Sequence, residues 1–128
     1  ATLLPVNYYK NLLSSKKDNY AVYADSAFRE EQRLLFIGRD VSSLYTRRTL
    51  GEFHRIALYI QQVLRAKKGN YLIFFPSYRF MEDVYEQFLA VNEQEADCMM
   101  QSGNMNEADR EEFIQEFSNP RGKSLAAF

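Results

Sequence analysis

Tryptophan is absent from this chain, and cysteine occurs once, as Cys98. A single thiol excludes an internal disulfide and any four-cysteine metal site within the chain. Histidine also occurs once, as His54, with no cysteine or carboxylate pattern beside it, which makes it a poor metal or catalytic candidate. No apolar run approaches the ~20 residues that span a bilayer, so no membrane partner is expected. The opening "ATLLPVNYYK" lacks a basic segment ahead of an apolar one, so no signal peptide is read there, and a reducing, cytoplasmic setting is expected. No G-x-x-x-x-G-K-[ST] phosphate loop occurs, and no D-E-A-H-like acidic pair follows an apolar strand. Repeats, low-complexity stretches and Pro- or Gly-rich linkers are missing as well. The 128 residues are therefore expected to form one domain, 1–128, long enough for a real core.

Aromatic residues are abundant, with 9 Tyr and 10 Phe. The formal net charge of −1 conceals an asymmetry. Residues 1–68 carry 12 Lys/Arg against 6 Asp/Glu, whereas residues 69–128 carry 4 against 11. A basic half can serve polyanion binding, but from the counts alone uneven dispersion of charge over a solvated surface is the better account.

"PVNYYKNLL" reads as a short helix, 14–19 as a loop, "YAVYA" (20–24) as a strand and "LLFIG" (34–38) as a strongly apolar strand. "RDVSSLYTRR" (39–48) is a polar, partly basic connection. Thr49 to about Lys67 has helical spacing, with Phe53, Ile56, Ala57, Ile60, Val63 and Leu64 on one face and Gly69 as the stop. A strand Tyr71–Phe75 and a helix from about Tyr78 to Val91 follow. "DCMMQ" (97–101) is a weaker strand. Asn106, with Asp109 three residues on, caps a helix whose buried stripe is Phe113, Ile114 and Phe117. "SLAAF" (124–128) begins another strand. The alternation from Thr49 onward, with apolar runs instead of strict period two, predicts strands buried on both faces. The fold class expected is α/β with a mostly parallel sheet.

Ligands of open parallel sheets gather at the carboxyl ends of the strands, which is where Pro76-Ser77-Tyr78 falls. Ser77 beside free helix amides suits an anion such as phosphate, and Tyr78 and Arg79 add a ring and a charge. From spacing alone, a plain helix cap is the better account of Ser77. Arg39, Arg47 and Arg48 are either electrostatic support for a polyanion or an exposed loop. Tyr45 could stack a base, but anchoring that loop to the core is the preferred reading; Cys98 is read as a buried small hydrophobe, and Met99, Met100 and Met105 as core filler. Tyr8, Tyr9, Tyr20 and Tyr23 could form a stacking surface, but Tyr20 and Tyr23 have opposite strand parity, which favours packing. The acidic run "EADREEFIQE" is a solvated helix face.

"NYLIFFPSYRFMEDVYEQF" resembles motif IV of superfamily 2 DNA helicases of the DinG type, relatives of the iron–sulfur helicase XPD. "LLFIGRDVSSLYTRRTLGEFHRIALYIQQVLRAKKG" is similar to their stretch between motifs III and IV. "ATLLP" resembles the tail of motif III, "MMQSGNMNEADREEFIQEF" the strand, turn and helix after motif IV, and "RGKSLAAF" the strand leading into motif V. The resemblance covers nearly the whole chain in order. It implies most of the second RecA-like lobe, a three-layer α/β sandwich that stops before motif V, from an ATP-dependent helicase of DNA repair or replication. It also implies that Ser77 first, then Tyr78 and Arg79, contact single-stranded DNA. Ser102 and Gly103 are secondary DNA-side candidates, and Arg47 and Arg48 supporting ones. Thr2 would belong to coupling between the lobes. ATP and magnesium would be bound mainly by the first lobe, and any iron–sulfur cluster would lie outside this chain. The chain alone is then expected to be inactive as a hydrolase. Two other accounts stay open: a standalone α/β module for a nucleotide or phosphorylated ligand, and a structural docking domain.

Overall fold

The computed structural model describes residues 6–13, 20 and 27–128. Thr2, the 14–19 loop and all but Tyr20 of the expected 20–24 strand lie outside these residues. The chain divides into two units, Ala1–Ile37 and Gly38–Phe128.

In the first unit, helix α1 spans Val6–Leu13, as the pattern after Pro5 predicts. Tyr8 and Tyr9 meet edge to face, with ring centroids 5.2 Å apart. A single 3-10 turn, Glu30–Gln32, follows, and Arg29 N–H donates to Gln32 Oε1 at 3.2 Å. The expected 34–38 strand is not formed. Leu34, Leu35, Phe36 and Ile37 are exposed and belong to no ladder. A strand exists through the hydrogen bonds of a neighbour, and high apolar content cannot replace that neighbour.

The second unit holds α2 (Leu50–Ala66), β1 (Asn70–Leu72), α3 (Tyr78–Asn92), β2 (Ala96–Met99), α4 (Glu107–Ser118) and β3 (Ser124–Ala127). The sheet is wholly parallel in the order β1-β3-β2. Asn70 pairs with Leu125 on one side of β3, and Ala96 with Ser124 on the other. The connection through α3 steps from β1 past β3 to β2, and the connection through α4 steps back from β2 to β3; right-handed crossovers, the general rule, would put the two helices on opposite faces. This is the expected α/β architecture, consistent with part of a RecA-like lobe.

α2 starts where Thr49 Oγ1 accepts from Glu52 N–H. It ends at Ala66, with Lys67 already extended. Gly69 has no positive φ and does not act as a helix stop. Its N–H meets Ser124 Oγ and its carbonyl accepts from Leu125 N–H, so it opens the β1–β3 ladder instead. α3 ends in a left-handed residue, Glu93 (φ 48°), followed by Gln94 (φ 62°). The predicted reciprocal cap of α4 is present: Asp109 N–H donates to Asn106 Oδ1 and Asn106 N–H to Asp109 Oδ2, both at 3.0 Å.

The core lies between α2, α3 and the sheet. Phe53, Ala57 and Leu64 face Phe80, Met81, Val84 and Phe88, over Ala126 and Phe128. Phe128 gathers three rings: Phe75 stacked at 5.8 Å, Tyr85 edge-on at 5.0 Å and Phe88 at 5.2 Å. This cluster accounts for part of the aromatic excess, since such pairs add to the area they bury.

Several burial expectations fail. Only the central strand β3 is buried throughout; β1 is an edge strand with Asn70 and Leu72 exposed. Its ladder ends at Leu72, with one further bond from Ile73 N–H to Ala127 O at 2.8 Å, so Phe74 and Phe75 leave the sheet. Val63 and Ile114 are exposed, and α4 buries no residue fully. Met100 is exposed and Met99 and Met105 half-buried, so Met81 is the methionine of the core. Tyr45 is exposed and does not anchor its loop. No helix among the described residues is long and apolar enough to cross a membrane.

Candidate nucleic-acid interface

The corner between β1 and α3 is built by Pro76 and Ser77. Proline ends the strand because it cannot donate to a ladder. Ser77 then takes extended dihedrals (φ −162°, ψ 155°), and its Oγ accepts from Phe80 N–H at 3.3 Å. Its carbonyl accepts from Met81 N–H at 3.0 Å. Ser77 is thus the cap of α3. A hydroxyl that accepts from a backbone amide still has its own hydrogen to donate, so capping leaves Ser77 able to hold an anion.

The first turn of α3 contains no acidic residue to offset the helix dipole, whereas α2 and α4 begin with Glu52 and with Glu107 and Asp109. Arg79 adds a positive charge there. Its side chain is 81% exposed and pairs with Asp83 at 3.4 Å. Such an exposed pair is weak.

The 102–105 turn after β2 comes to the same corner. A Cβ built on Gly103 would lie 3.4 Å from the Tyr78 ring. A single methyl would just touch the ring there, so the turn lies at van der Waals distance from it, with no room for a larger side chain in that direction. Within the turn, Asn104 N–H donates to Ser102 Oγ and Met105 N–H to Ser102 O, both at 3.3 Å. Ser77, Tyr78, Ser102 and Gly103 are therefore brought together at the carboxyl ends of β1 and β2. An open cleft of about 390 Å³ lies alongside, lined by Phe75, Pro76, Ser77, Tyr78, Gln101 and Phe128 among others.

The basic connection divides by residue. Arg48 reaches α3: its guanidinium lies 4.9 Å from the Phe80 ring centroid and 5.4 Å from that of Tyr45. Arg47 is engaged elsewhere, donating to Glu52 Oε2 at 3.2 Å and to Asp40 O at 3.4 Å. Arg39 is exposed. Glu52, which the sequence reading did not single out, is the most deeply buried charge described, with 1% of its side chain exposed. It accepts from Ser42 N–H and from Arg55 as well as from Arg47. The Arg55 hydrogen bond is the largest cause holding its carboxyl below the ordinary value, against the opposing effect of burial. A signal existed: Thr49-x-x-Glu52 has capping-box spacing. The structure uses the carboxylate on Ser42, however, and not on the Thr49 amide.

Asp40 accepts from the Tyr59 hydroxyl, which lowers the carboxyl's pKa and raises the phenol's. Cys98 is half-buried, and burial pushes its thiol upward. A protonated thiol packed on the core suits the structural role expected of it. His54 is exposed. Among the described residues, no group of three His, Cys, Asp or Glu side chains is placed to hold a metal ion.

No curated protein and no solved structure matches this chain. The family described as helicase C-terminal domain matches residues 60–128, a span that includes β1, α3, the 102–105 turn and all of the sheet. With more than half of its residues matched, the chain belongs to the helicase C-terminal domain family.

Proposed function

We propose that this chain is part of the second RecA-like lobe of a DinG-type, XPD-related ATP-dependent DNA helicase acting in repair or replication. In that setting it grips single-stranded DNA. The observation that carries the reading is the meeting of Ser77–Arg79 with Ser102–Gly103 at the carboxyl edge of a parallel sheet. Ser77 Oγ–H and the free amides of the first α3 turn would hold a backbone phosphate. The exposed face of Tyr78 would take a base, and Arg79 would add charge. None of these groups reads a base edge, so the grip is independent of sequence. Arg48, placed on Phe80, supports the same corner, whereas Arg47 acts through Glu52.

ATP and magnesium belong to the whole helicase and are held mainly by its first lobe. This chain has neither the phosphate loop nor, among its described residues, a carboxylate cluster for magnesium. Thr2 would couple the lobes in that larger assembly, and any iron–sulfur cluster would sit outside this chain. The chain by itself neither hydrolyses ATP nor unwinds DNA, and its setting is the cytoplasm.

Equilibrium binding of a fluorescein-labelled oligo-dT to the purified chain tests the grip. Weak binding that falls as salt rises, with similar affinity for mixed-sequence strands, is expected. Stabilisation by inorganic phosphate with no binding of the oligonucleotide would instead make the corner a small-ligand site.

A further inference from the structure

Glu52 is buried, charged and unused by the grip described above. A carboxylate loses several kcal/mol of hydration on burial in general, and it is retained only where donors replace the water. Here the donors come from both sides of one junction. Ser42 N–H and Arg47 belong to the 39–48 connection, and Arg55 belongs to α2. Thr49 Oγ1 fixes the Glu52 backbone at the head of α2. The segment between these attachments contains the 3-10 turn Tyr45–Arg47 and then Arg48. Apart from its two ring contacts, Arg48 makes one long bond, from Nε to Ser43 O at 3.4 Å. Its location on Phe80 therefore depends on where the rest of the connection is held.

We propose that Glu52 is the positioning residue of the nucleic-acid grip. By drawing the Ser42 amide, Arg47 and Arg55 around one buried carboxylate, it fixes residues 42–48 and so keeps Arg48 on Phe80 at the first turn of α3. This rests on the nucleic-acid reading above and adds the device that places its supporting cation. Arg47 then contributes to binding indirectly, as a strut on Glu52, while Arg48 supplies the charge that a phosphate meets.

Glu52→Gln keeps the shape but turns an –NH2 group toward donors, so the three attachments cannot all be kept. Two readouts decide the matter. The first is amide hydrogen exchange at Ser42, Arg47 and Arg48, with Val84 and Phe88 as reporters of the intact core. The second is the slope of log Kobs against log salt for oligo-dT. The expected result is exchange faster by about tenfold at 42–48 with the core reporters unchanged. The slope should also be shallower by about 0.7, the loss of one phosphate contact on a single strand. Arg48→Ala should lose the same slope, and the Glu52→Gln/Arg48→Ala double variant should lose no more than either alone. A general loss of stability would not change the slope in this way. Should Glu52→Gln fail to fold, Arg55→Gln leaves the carboxylate in place with two donors and should move both readouts in the same direction by less.

Unchanged exchange at 42–48 overturns the proposal. So does faster exchange with an unaltered slope, because the connection would then be free without consequence for the grip. If the wild-type chain binds no oligonucleotide, the nucleic-acid reading fails, and the exchange result alone decides whether Glu52 positions the connection.

Discussion

Two substitutions at Ser77 separate its two roles. Ser77→Ala removes both the acceptor that receives Phe80 N–H and the hydroxyl hydrogen proposed to meet phosphate. The lost cap should cost about 1 kcal/mol, which lowers Tm by roughly 4–8 °C for a cooperative unit of this size. The lost neutral hydrogen bond should weaken oligo-dT binding by about 1 kcal/mol, or several-fold. Ser77→Asp divides these effects. Aspartate caps as well as serine, and its charge suits the uncompensated N-terminus of α3 by about 0.3–1 kcal/mol. Stability should therefore be kept or raised. The same charge repels a phosphate and has no hydrogen to donate, so binding should fall further than in Ser77→Ala. Urea or thermal unfolding gives the first quantity and fluorescence anisotropy at low salt the second. If Ser77→Asp is as stable as the wild type and binds as tightly, Ser77 is a cap and nothing more.

Gly103→Val should press on the Tyr78 ring and weaken oligo-dT binding while leaving the unfolding midpoint nearly unchanged, since both residues are exposed. Equal loss of stability and binding would count against a role in the site. Gln94→Gly should stabilise the chain by up to about 1 kcal/mol in urea unfolding, because glycine relieves the left-handed strain at φ 62°; a lower midpoint would contradict this. Acid should weaken the fold through Asp40, Glu52 and Glu95, all of whose carboxyls are held below their ordinary values. In each case the unfolded state takes up protons first. Their contribution is therefore present at neutral pH and is lost as pH falls below about 4 toward the folded values. Urea midpoints from pH 7 to pH 3 should decline less in Glu52→Gln than in the wild type.

Helices were the most legible part of this chain. Ser77 and Asn106 announce their caps, and each makes the bond its type predicts; Thr49, read only as the start of the helical spacing, caps α2 in the same way. The apolar spacing of Phe53, Ala57 and Leu64 and of Met81, Val84 and Phe88 also names most of the core correctly. Strands were less legible. The "LLFIG" run and "LIFF" look alike in composition, yet only the second begins in a ladder. Pairing is decided by residues more than 50 positions away, as with Tyr71 and Ala126. The site was legible where its signal is local, as in Pro76-Ser77. The meeting of Gly103 with Tyr78 and the stacking of Arg48 on Phe80 required the fold. Glu52 was missed because an acidic residue in a first helical turn has a sufficient local explanation; Arg55 at i+3 is a local partner, but the return of Ser42 N–H and Arg47 to the same carboxylate required the folded connection.

The most direct test of the account is to map oligo-dT onto the isotopically labelled chain by amide chemical-shift perturbation at low salt. Shifts should concentrate at Ser77, Tyr78, Arg79, Ser102 and Gly103, with a weaker set at Arg48. Shifts scattered over the basic surface without a maximum at this corner, or centred on α4, would contradict it.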